Sequence, residues 1–415
     1  MRMVMVTLGS RGDVEPFVAL GLGLKAAGHE VSVATGTDCE AWVRGLGLGF
    51  KAVGGDMRAA ITSAEGRRLL RTRNPVSFVR RLRRTAAPIL KTMQEDILAA
   101  LAGADACVFS YLCGPVIDIH EARGLPCFMG IMQPLIRTGD FPNPAVSLGS
   151  LGRTLNRLTF DVFNLLMYAF FADIGNTWRR ERFGLPRAQA LRRLEKIGLP
   201  ILGAFSPSII PKPSDWPDYA HVTGYWFMPP DQGWTAGPEL TAFLADGPAP
   251  VCVGFGSMVD DDPKGLTKIV EDALDRAGQR GIIVGGWGGV GAGVGGRHLT
   301  IESAPYDWLL PRTAAMVHHG GAGTTSAALR AGVPAVVVPF MGVDQPYFGR
   351  LVLSAGAGPR PIPRSKLTAA NLAAAVTAAV SDENMRSRAA ALGRAIREED
   401  GVKTAVGLIT TLLNH

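Results

Sequence analysis

From His318 to Thr325 the chain reads His-His-Gly-Gly-Ala-Gly-Thr-Thr. These residue types suit one task, the binding of an anion. An apolar segment, 314–317, precedes the run and a helical pattern, 326–330, follows it. A strand, a glycine-rich turn and a helix in that order point backbone N–H groups and the positive end of a helix dipole into one small volume. A diphosphate fits such a volume, and imidazoles at its lip can donate further hydrogen bonds to phosphate oxygens. The candidate diphosphate ligands are therefore His318 and residues Gly320, Gly321, Ala322, Gly323, Thr324 and Thr325. A plain strand-to-helix connection would use the same glycines, and their spacing alone is a weak signal. The His pair and the Thr pair favour the anion. His318 could act as a base or stabilise a leaving group, and its place at a phosphate nest argues for the second. His319 reads as a structural neighbour.

Two further places could do chemistry. Residues 336–340 form a β-branched, uncharged run stopped by a proline, the pattern of a buried parallel strand. Asp344 and Gln345 follow just beyond its carboxyl end, where ligands bind in open parallel sheets. Together they offer acceptors and donors suited to sugar hydroxyls. Asp344 could equally cap a helix that has Pro346 in its first turn, and both roles are compatible. Near the amino terminus, Asp13 stands in a Gly-rich turn, Gly9-Ser10-Arg11-Gly12-Asp13, after a first strand. There it could serve as a general base or as the N-cap of a helix beginning near Val14. A third acidic group, Asp260-Asp261-Asp262, resembles a metal-binding run. Asp262 immediately before Pro263 is better read as a helix cap, so no metal or other cofactor is expected.

The elements that must position these residues are strands alternating with helices. Residues 3–7, 31–35, 106–109 and 126–130 read as strands of an amino-terminal parallel sheet, with a helix over 14–27. The pattern restarts at 250–257 and continues through strands near 281, 316 and 336. The fold class is α/β, with two Rossmann-like doubly wound domains. Residues 1–224 form the first domain, 225–240 a Pro/Gly/Trp-rich linker and 241–395 the second. A terminal helical segment, 396–415, could pack back on the first domain.

Composition excludes several classes. A length of 415 residues exceeds one ordinary core. A hydrophobic share of 47% rules out a disordered chain. The net charge of +7 favours anionic ligands, but no interleaved base-stacking aromatics mark a nucleic-acid binder. Five cysteines, Cys39, Cys107, Cys113, Cys127 and Cys252, show no zinc spacing and read as reduced, buried thiols. A strand begins almost at once, so no signal peptide is expected and the chain reads as cytoplasmic. Residues 158–171 are the most hydrophobic stretch but contain Asp161 and Asn164. They fall short of a spanning helix and read as part of a buried or groove-lining one. Arg67, Arg68, Arg71, Arg73, Arg80, Arg81, Arg83 and Arg84 make a basic segment. It reads as a solvated helix face, or as a peripheral contact with an anionic membrane or an acidic acceptor. A Gly-rich loop, 285–296, surrounds Trp287 and could approach a nucleotide or simply move.

Taken together, GSRGDVEP (9–16), AGHEV (27–31), GFGSM (254–258), APYDWLLPR (304–312), HHGGAGTT (318–325) and DQPYFG (344–349) resemble the GT-B nucleotide-sugar glycosyltransferases. The likeness is to the branch of sterol glucosyltransferases and of enzymes that glycosylate glycopeptide and macrolide antibiotics. It implies two Rossmann-like domains facing a cleft, with an acceptor in the first and a UDP- or dTDP-linked sugar in the second. It also implies inverting transfer by direct displacement to a hydroxyl of a lipophilic or natural-product acceptor. His318, the 320–325 backbone and Ser257 match diphosphate-binding positions. Asp344 and Gln345 match the pair on the sugar, and Asp13 matches the catalytic base. Two departures stand out. Val343 lengthens the segment before Asp344 by one residue, and Ser303 replaces a base-stacking Trp. The base would then meet Ser303, Ala304 and Tyr306 or the Trp287 loop. Acceptor contacts are expected from Ser10, Met132, Gln133 and Phe163. The competing readings are a sugar-nucleotide epimerase or lipid-linked cell-wall transferase of the same fold, a non-catalytic transferase partner, and a membrane-surface binding protein.

Overall fold

The computed structural model describes residues 1–55, 90–146, 149–189, 191, 193–231, 233–256, 258, 260–285, 297–340 and 344–414. Ser257, Trp287, Val343 and the basic segment containing Arg67 and Arg84 lie outside the described residues. The chain divides into two compact units. The first comprises Met1–Asn143, Leu148–Met228 and Asp400–His415, and the second Pro144–Ser147 and Pro229–Glu399.

The first unit holds a seven-stranded sheet: β1 (Arg2–Val6), β2 (Glu30–Thr35), β3 (Gly49–Ala52), β4 (Ala106–Ser110), β5 (Cys127–Ile131), β6 (Ile201–Gly203) and β7 (Ala220–Val222). Their spatial order is β3-β2-β1-β4-β5-β6-β7, and every pairing is parallel. The central strands β1, β4 and β5 are buried β-branched and Met/Cys/Phe segments, apart from Arg2 at the start of β1, as expected of a parallel sheet covered on both faces. Helix α1 (Arg11–Ala26) buries Phe17, Leu20 and Leu24 against Met3, Met5, Val31 and Val33. Further helices are α2 (Glu40–Gly45), α3 (Pro115–Arg123), α4 (Arg153–Phe183) and α5 (Arg193–Ile197).

The second unit has five strands, β8 (Val251–Gly254), β9 (Gly281–Val284), β10 (His298–Ile301), β11 (Ala315–His318) and β12 (Ala335–Val337). Their order is β10-β9-β8-β11-β12, again all parallel. Its helices are α6 (Pro238–Ala245), α7 (Pro263–Arg276), α8 (Tyr306–Leu309), α9 (Ala322–Ala331), α10 (Gln345–Ser354), α11 (Ala369–Ser381) and α12 (Glu383–Glu398). Val253, Ile283, Val317 and Val336 of the sheet pack with Val270 of α7 and Val376 of α11. A last helix, α13 (Gly401–Leu413), belongs to the first unit, where Ala405 and Ile409 join the core under α1. Asp400, the first residue of this returning segment, caps α13 by accepting the Lys403 N–H (3.0 Å).

The structure corrects two readings. Helix α1 begins at Arg11, with Ser10 as its N-cap, so Asp13 lies inside the first turn rather than capping. Residues 158–171 are largely not buried: Phe160 is, but Leu158, Val162, Leu165, Leu166, Met167 and Phe171 all stand exposed on α4. The hydrophobicity is real, but the buried side of this helix is the other one, carrying Asn156, Phe160, Trp178 and Arg179. Arg179 fixes the far half of α4 to α3 through Asp118 (2.7 Å) and Glu121. Among the described residues no single helix is long and apolar enough to cross a membrane, although the two arms of α4 pass together by length and composition, at an angle of 62°.

Candidate active site

In both sheets the strand order reverses beside the first strand, between β1 and β4 and between β8 and β11. Helices leave the two neighbouring strands toward opposite faces there, and the carboxyl ends open into a ligand-binding crevice. The sequence places its chemical groups at these two points.

In the second unit, His318 is the last residue of β11 and pairs in register with Gly254 of β8 and Val337 of β12. It is completely buried. The Gly320 N–H donates to its Nδ1 (3.1 Å). Nδ1 must therefore carry a lone pair, and a neutral ring keeps its proton on Nε2. That Nε2 has no hydrogen-bond partner. Burial, with His319 adding to it, pushes the His318 pKa down to about 3. At neutral pH His318 is thus a neutral donor with an unused N–H, a costly state without a ligand.

Around it the glycines divide by purpose. Gly320 has φ +91°, and a Cβ there would stand 2.8 Å from Val337 Cγ1 and 2.9 Å from the Gln345 carbonyl oxygen. A Cβ at Gly321 would stand 2.4 Å from His319 Nε2. His319, buried and lowered by burial to about 4, fills the space between that turn and Gly256. Gly323 differs, because a Cβ there meets nothing within 4 Å. Gly321 caps α9 without a side chain, and no acidic residue stands in the first turn. The N–H groups of Ala322, Gly323 and Thr324 therefore head an uncapped helix beside the His318 donor, with the dipole behind them.

Two expected ligands are differently engaged. The Thr325 N–H (2.9 Å) and hydroxyl (2.8 Å) both donate to the Gly321 carbonyl, so this buried residue has no donor left for a phosphate. Gly320 has likewise committed its N–H, to His318. Gln345 is buried, accepting from the Phe340 N–H (2.8 Å) and reaching Met258 Sδ (3.2 Å). It pins the loop after β12 to the loop after β8, which leaves Asp344 as the sugar-facing candidate of that pair. Asp344 is the N-cap position of α10, and burial raises its pKa above the usual carboxylate range. At the expected nucleobase positions Ser303 is exposed, Ala304 is half-buried and Tyr306 turns inward. The Tyr306 hydroxyl lies over the end of β8, where a Cβ on Gly254 would stand 2.7 Å from it. Burial raises the Tyr306 pKa.

The acidic run has structural duties. Arg364 forks onto Asp260 (2.6 and 2.9 Å), and Asp262 caps α7 by accepting the Gly265 N–H (2.9 Å). Among the described residues no group of three or more His, Cys, Asp or Glu side chains could hold a metal ion.

In the first unit, the turn after β1 brings Asp13 to the switch point. Its Oδ2 accepts from the Ser10 N–H (2.8 Å) and hydroxyl (3.0 Å). Thr7 Oγ1 donates to its carbonyl (2.9 Å). The carboxylate folds back so closely that a Cβ on Gly9 would stand 2.3 Å from Oδ2. After β5, Met132 packs partly against the core and Gln133 is buried with an unpartnered Oε1. Phe163 is half-buried on α4. Tyr111 and Leu112, in the turn after β4, expose large apolar side chains at the same end of the sheet. Sequence reasoning passed over them because two apolar residues in a turn carry no periodic signature.

The comparisons with known proteins agree with this fold. Residues 3–139 match the glycosyltransferase family 28 N-terminal domain, and residues 295–400 match the erythromycin biosynthesis protein CIII-like C-terminal domain. The solved glycotransferase of kitacinnamycin is similar over 99% of both chains, with a TM-score of 0.71 at 19% identity. The chain has the GT-B fold of these glycosyltransferases. Another GT-B structure, glycosyltransferase VinC in complex with dTDP, is similar over 100% of both chains, with a TM-score of 0.66 and 21% identity. Among curated proteins, a sterol 3-beta-glucosyltransferase of Emericella nidulans is 37% identical over 99% of this chain. This GT-B chain spans only 30% of that relative's length. The two family matches take in Asp13 on one side and His318 to Asp344 on the other.

Two outcomes test the geometry. Protonation of His318 is resisted in the fold but free in the unfolded chain. Stability should therefore fall as pH drops from about 6.5, where an unfolded His begins to charge, toward the depressed folded value of about 3. His318→Gln should show a shallower decline between pH 6.5 and 4 in denaturant titrations; an unchanged slope would place His318 in water. Gly323→Ala should leave stability unchanged or raise it by up to about 1 kcal/mol while weakening diphosphate binding roughly tenfold or more, one lost charge-assisted hydrogen bond. Equal affinity would mean that no phosphate approaches Gly323.

Proposed function

We propose that the chain is an inverting glycosyltransferase that moves a sugar from a UDP- or dTDP-linked donor to a hydroxyl of a lipophilic acceptor. One observation carries the reading: a fully buried, neutral His318 keeps an unpartnered Nε2 donor beside the uncapped start of α9. Such a pair of donors suits the diphosphate of a sugar nucleotide. The leaving diphosphate gains negative charge as the glycosidic bond breaks, and preorganised donors stabilise it as that charge develops. Asp344 would accept from hydroxyls of the transferred sugar, and the segment around Ser303, Ala304 and Tyr306 would meet the base.

Asp13 would take the proton of the attacking hydroxyl. An ordinary Asp is a weak base, with a pKa near 3.9, so the carboxylate must be placed against its proton donor. The hydrogen bonds from Ser10 hold it in one orientation, which supports that role. Attack from the face opposite the diphosphate inverts the anomeric carbon in a single displacement. No metal is needed in this scheme, because the dipole of α9 and His318 meet the charge, and Asp260 and Asp262 are held by Arg364 and the Gly265 amide.

The similarity to sterol 3-beta-glucosyltransferases and the apolar Tyr111 and Leu112 favour a sterol-like or polyketide acceptor. The similarity to a dTDP-bound structure keeps dTDP beside UDP as the carrier.

Calorimetric titration with UDP, dTDP and their glucose conjugates is the deciding measurement. One nucleotide should bind in the micromolar range, about −8 kcal/mol, with His318→Ala losing that affinity; absence of binding by either would overturn the donor assignment. Asp13→Asn should lower transfer by about 10²- to 10⁴-fold with nucleotide affinity retained, equally with and without EDTA. A retained rate would make Asp13 only the partner of its N-cap.

A further inference from the structure

Helix α4 is built inside out. On its first arm the polar side chains of Asn156, Arg157, Thr159 and Asp161 are turned toward the first unit and engaged there. Asn156 is completely buried, donating to the Gly139 carbonyl (2.8 Å) and accepting from the Leu151 N–H (2.9 Å). Thr159 accepts from the Asn143 N–H (2.8 Å). Arg157 pairs with Asp215 (2.7 Å) and Asp161 with Arg137 (2.9 Å). The outward row is apolar: Leu155, Leu158, Val162, Leu165, Leu166 and Phe171 are 39–60% exposed. Leu155, Leu158, Val162 and Leu165, with Leu166 beside them, recur at three- and four-residue intervals and make one stripe along the first arm of the helix. Residues 151–171 carry eight of the fourteen exposed large hydrophobic side chains among the described residues. Single exposed apolar residues need no explanation, but a concentrated patch marks an interaction surface.

We propose that this face of α4 seats the chain on the surface of an anionic lipid bilayer, with the stripe at the depth of the acyl boundary. The charge argues for that occupant. The chain carries a net +7, which a negatively charged leaflet attracts. The row itself contains no acid, because Asp161 is turned inward onto Arg137. Beside the row, exposed Arg187 lies over the Tyr168 ring (6.0 Å), and both kinds of side chain favour the headgroup zone. The benefit to catalysis rests on the lipophilic-acceptor reading, since such acceptors collect in bilayers. The docking itself stands on the exposed face.

Co-sedimentation with vesicles tests the proposal without donor or acceptor. The chain should pellet with phosphatidylcholine vesicles containing phosphatidylglycerol. The double variant Leu158→Glu/Leu165→Glu should lose about 10²-fold in partitioning, two apolar anchors of ~1.5 kcal/mol or more each. Both positions are exposed, so its circular dichroism and melting curve should match the parent. A parent that stays in the supernatant, or a variant that pellets equally, would overturn the proposal. Carbonate-resistant retention would replace surface seating with insertion, and overturn it too. So would self-association in sedimentation velocity that the variant abolishes with no vesicle binding, because the face would then serve a second copy. Vesicle binding by a chain that fails to bind nucleotide would keep this proposal and sink only the donor reading.

Discussion

The Gly320 N–H to His318 Nδ1 hydrogen bond is the interaction on which the second unit's chemistry depends. It chooses the tautomer, and the tautomer makes Nε2 a donor rather than an acceptor. It requires the chain to turn back on itself immediately after β11, which needs positive φ at Gly320. That turn delivers Gly321 as a side-chain-free cap, so the first amides of α9 stay uncovered. Burial then holds the ring neutral across physiological pH. One backbone bond thus sets the protonation, the orientation and the neighbouring donors of a single residue.

The sheet explains why this arrangement sits where it does. Three parallel strands end in register at Gly254, His318 and Val337, and their connections leave toward opposite faces at β8 and β11. The Gln345 side chain joins the loops after β8 and β12, closing the frame around the nest at the cost of a group that could have faced a sugar. In the first unit the same topology exposes the turn after β1. There the capping pair of Ser10 and Asp13 does for a carboxylate what Gly320 does for the imidazole: it holds one atom in one direction.

Helix α4 reverses the usual division of surface and interior. Its buried side is hydrogen-bonded and ion-paired, and its outer side is apolar. Buried polar groups must be satisfied to be tolerated, and here Asn156, Thr159, Arg157 and Asp161 all are. What remains outward is surface that water disfavours.

The α/β alternation, the two parallel sheets and the strand–turn–helix run around His318 were legible in the sequence. They rest on local patterns: β-branched runs, glycine at a tight turn, and a cap residue before proline at Asp262. The motif order also carried the family resemblance. Tertiary structure decided what local patterns cannot encode. Periodicity shows that α4 has an apolar face but not which side meets the protein; that is settled by distant partners such as Asp215 and Arg137. Residue type made Thr325 and Gln345 plausible ligands, yet their hydrogen-bonding groups were committed to Gly321, Phe340 and Met258. The turn chemistry alone left Asp13 as cap or base; folding made Ser10 the cap and kept Asp13 beside it. A hydrogen-bonding group serves a ligand only if the fold has not already used it, and that accounting exists only in three dimensions.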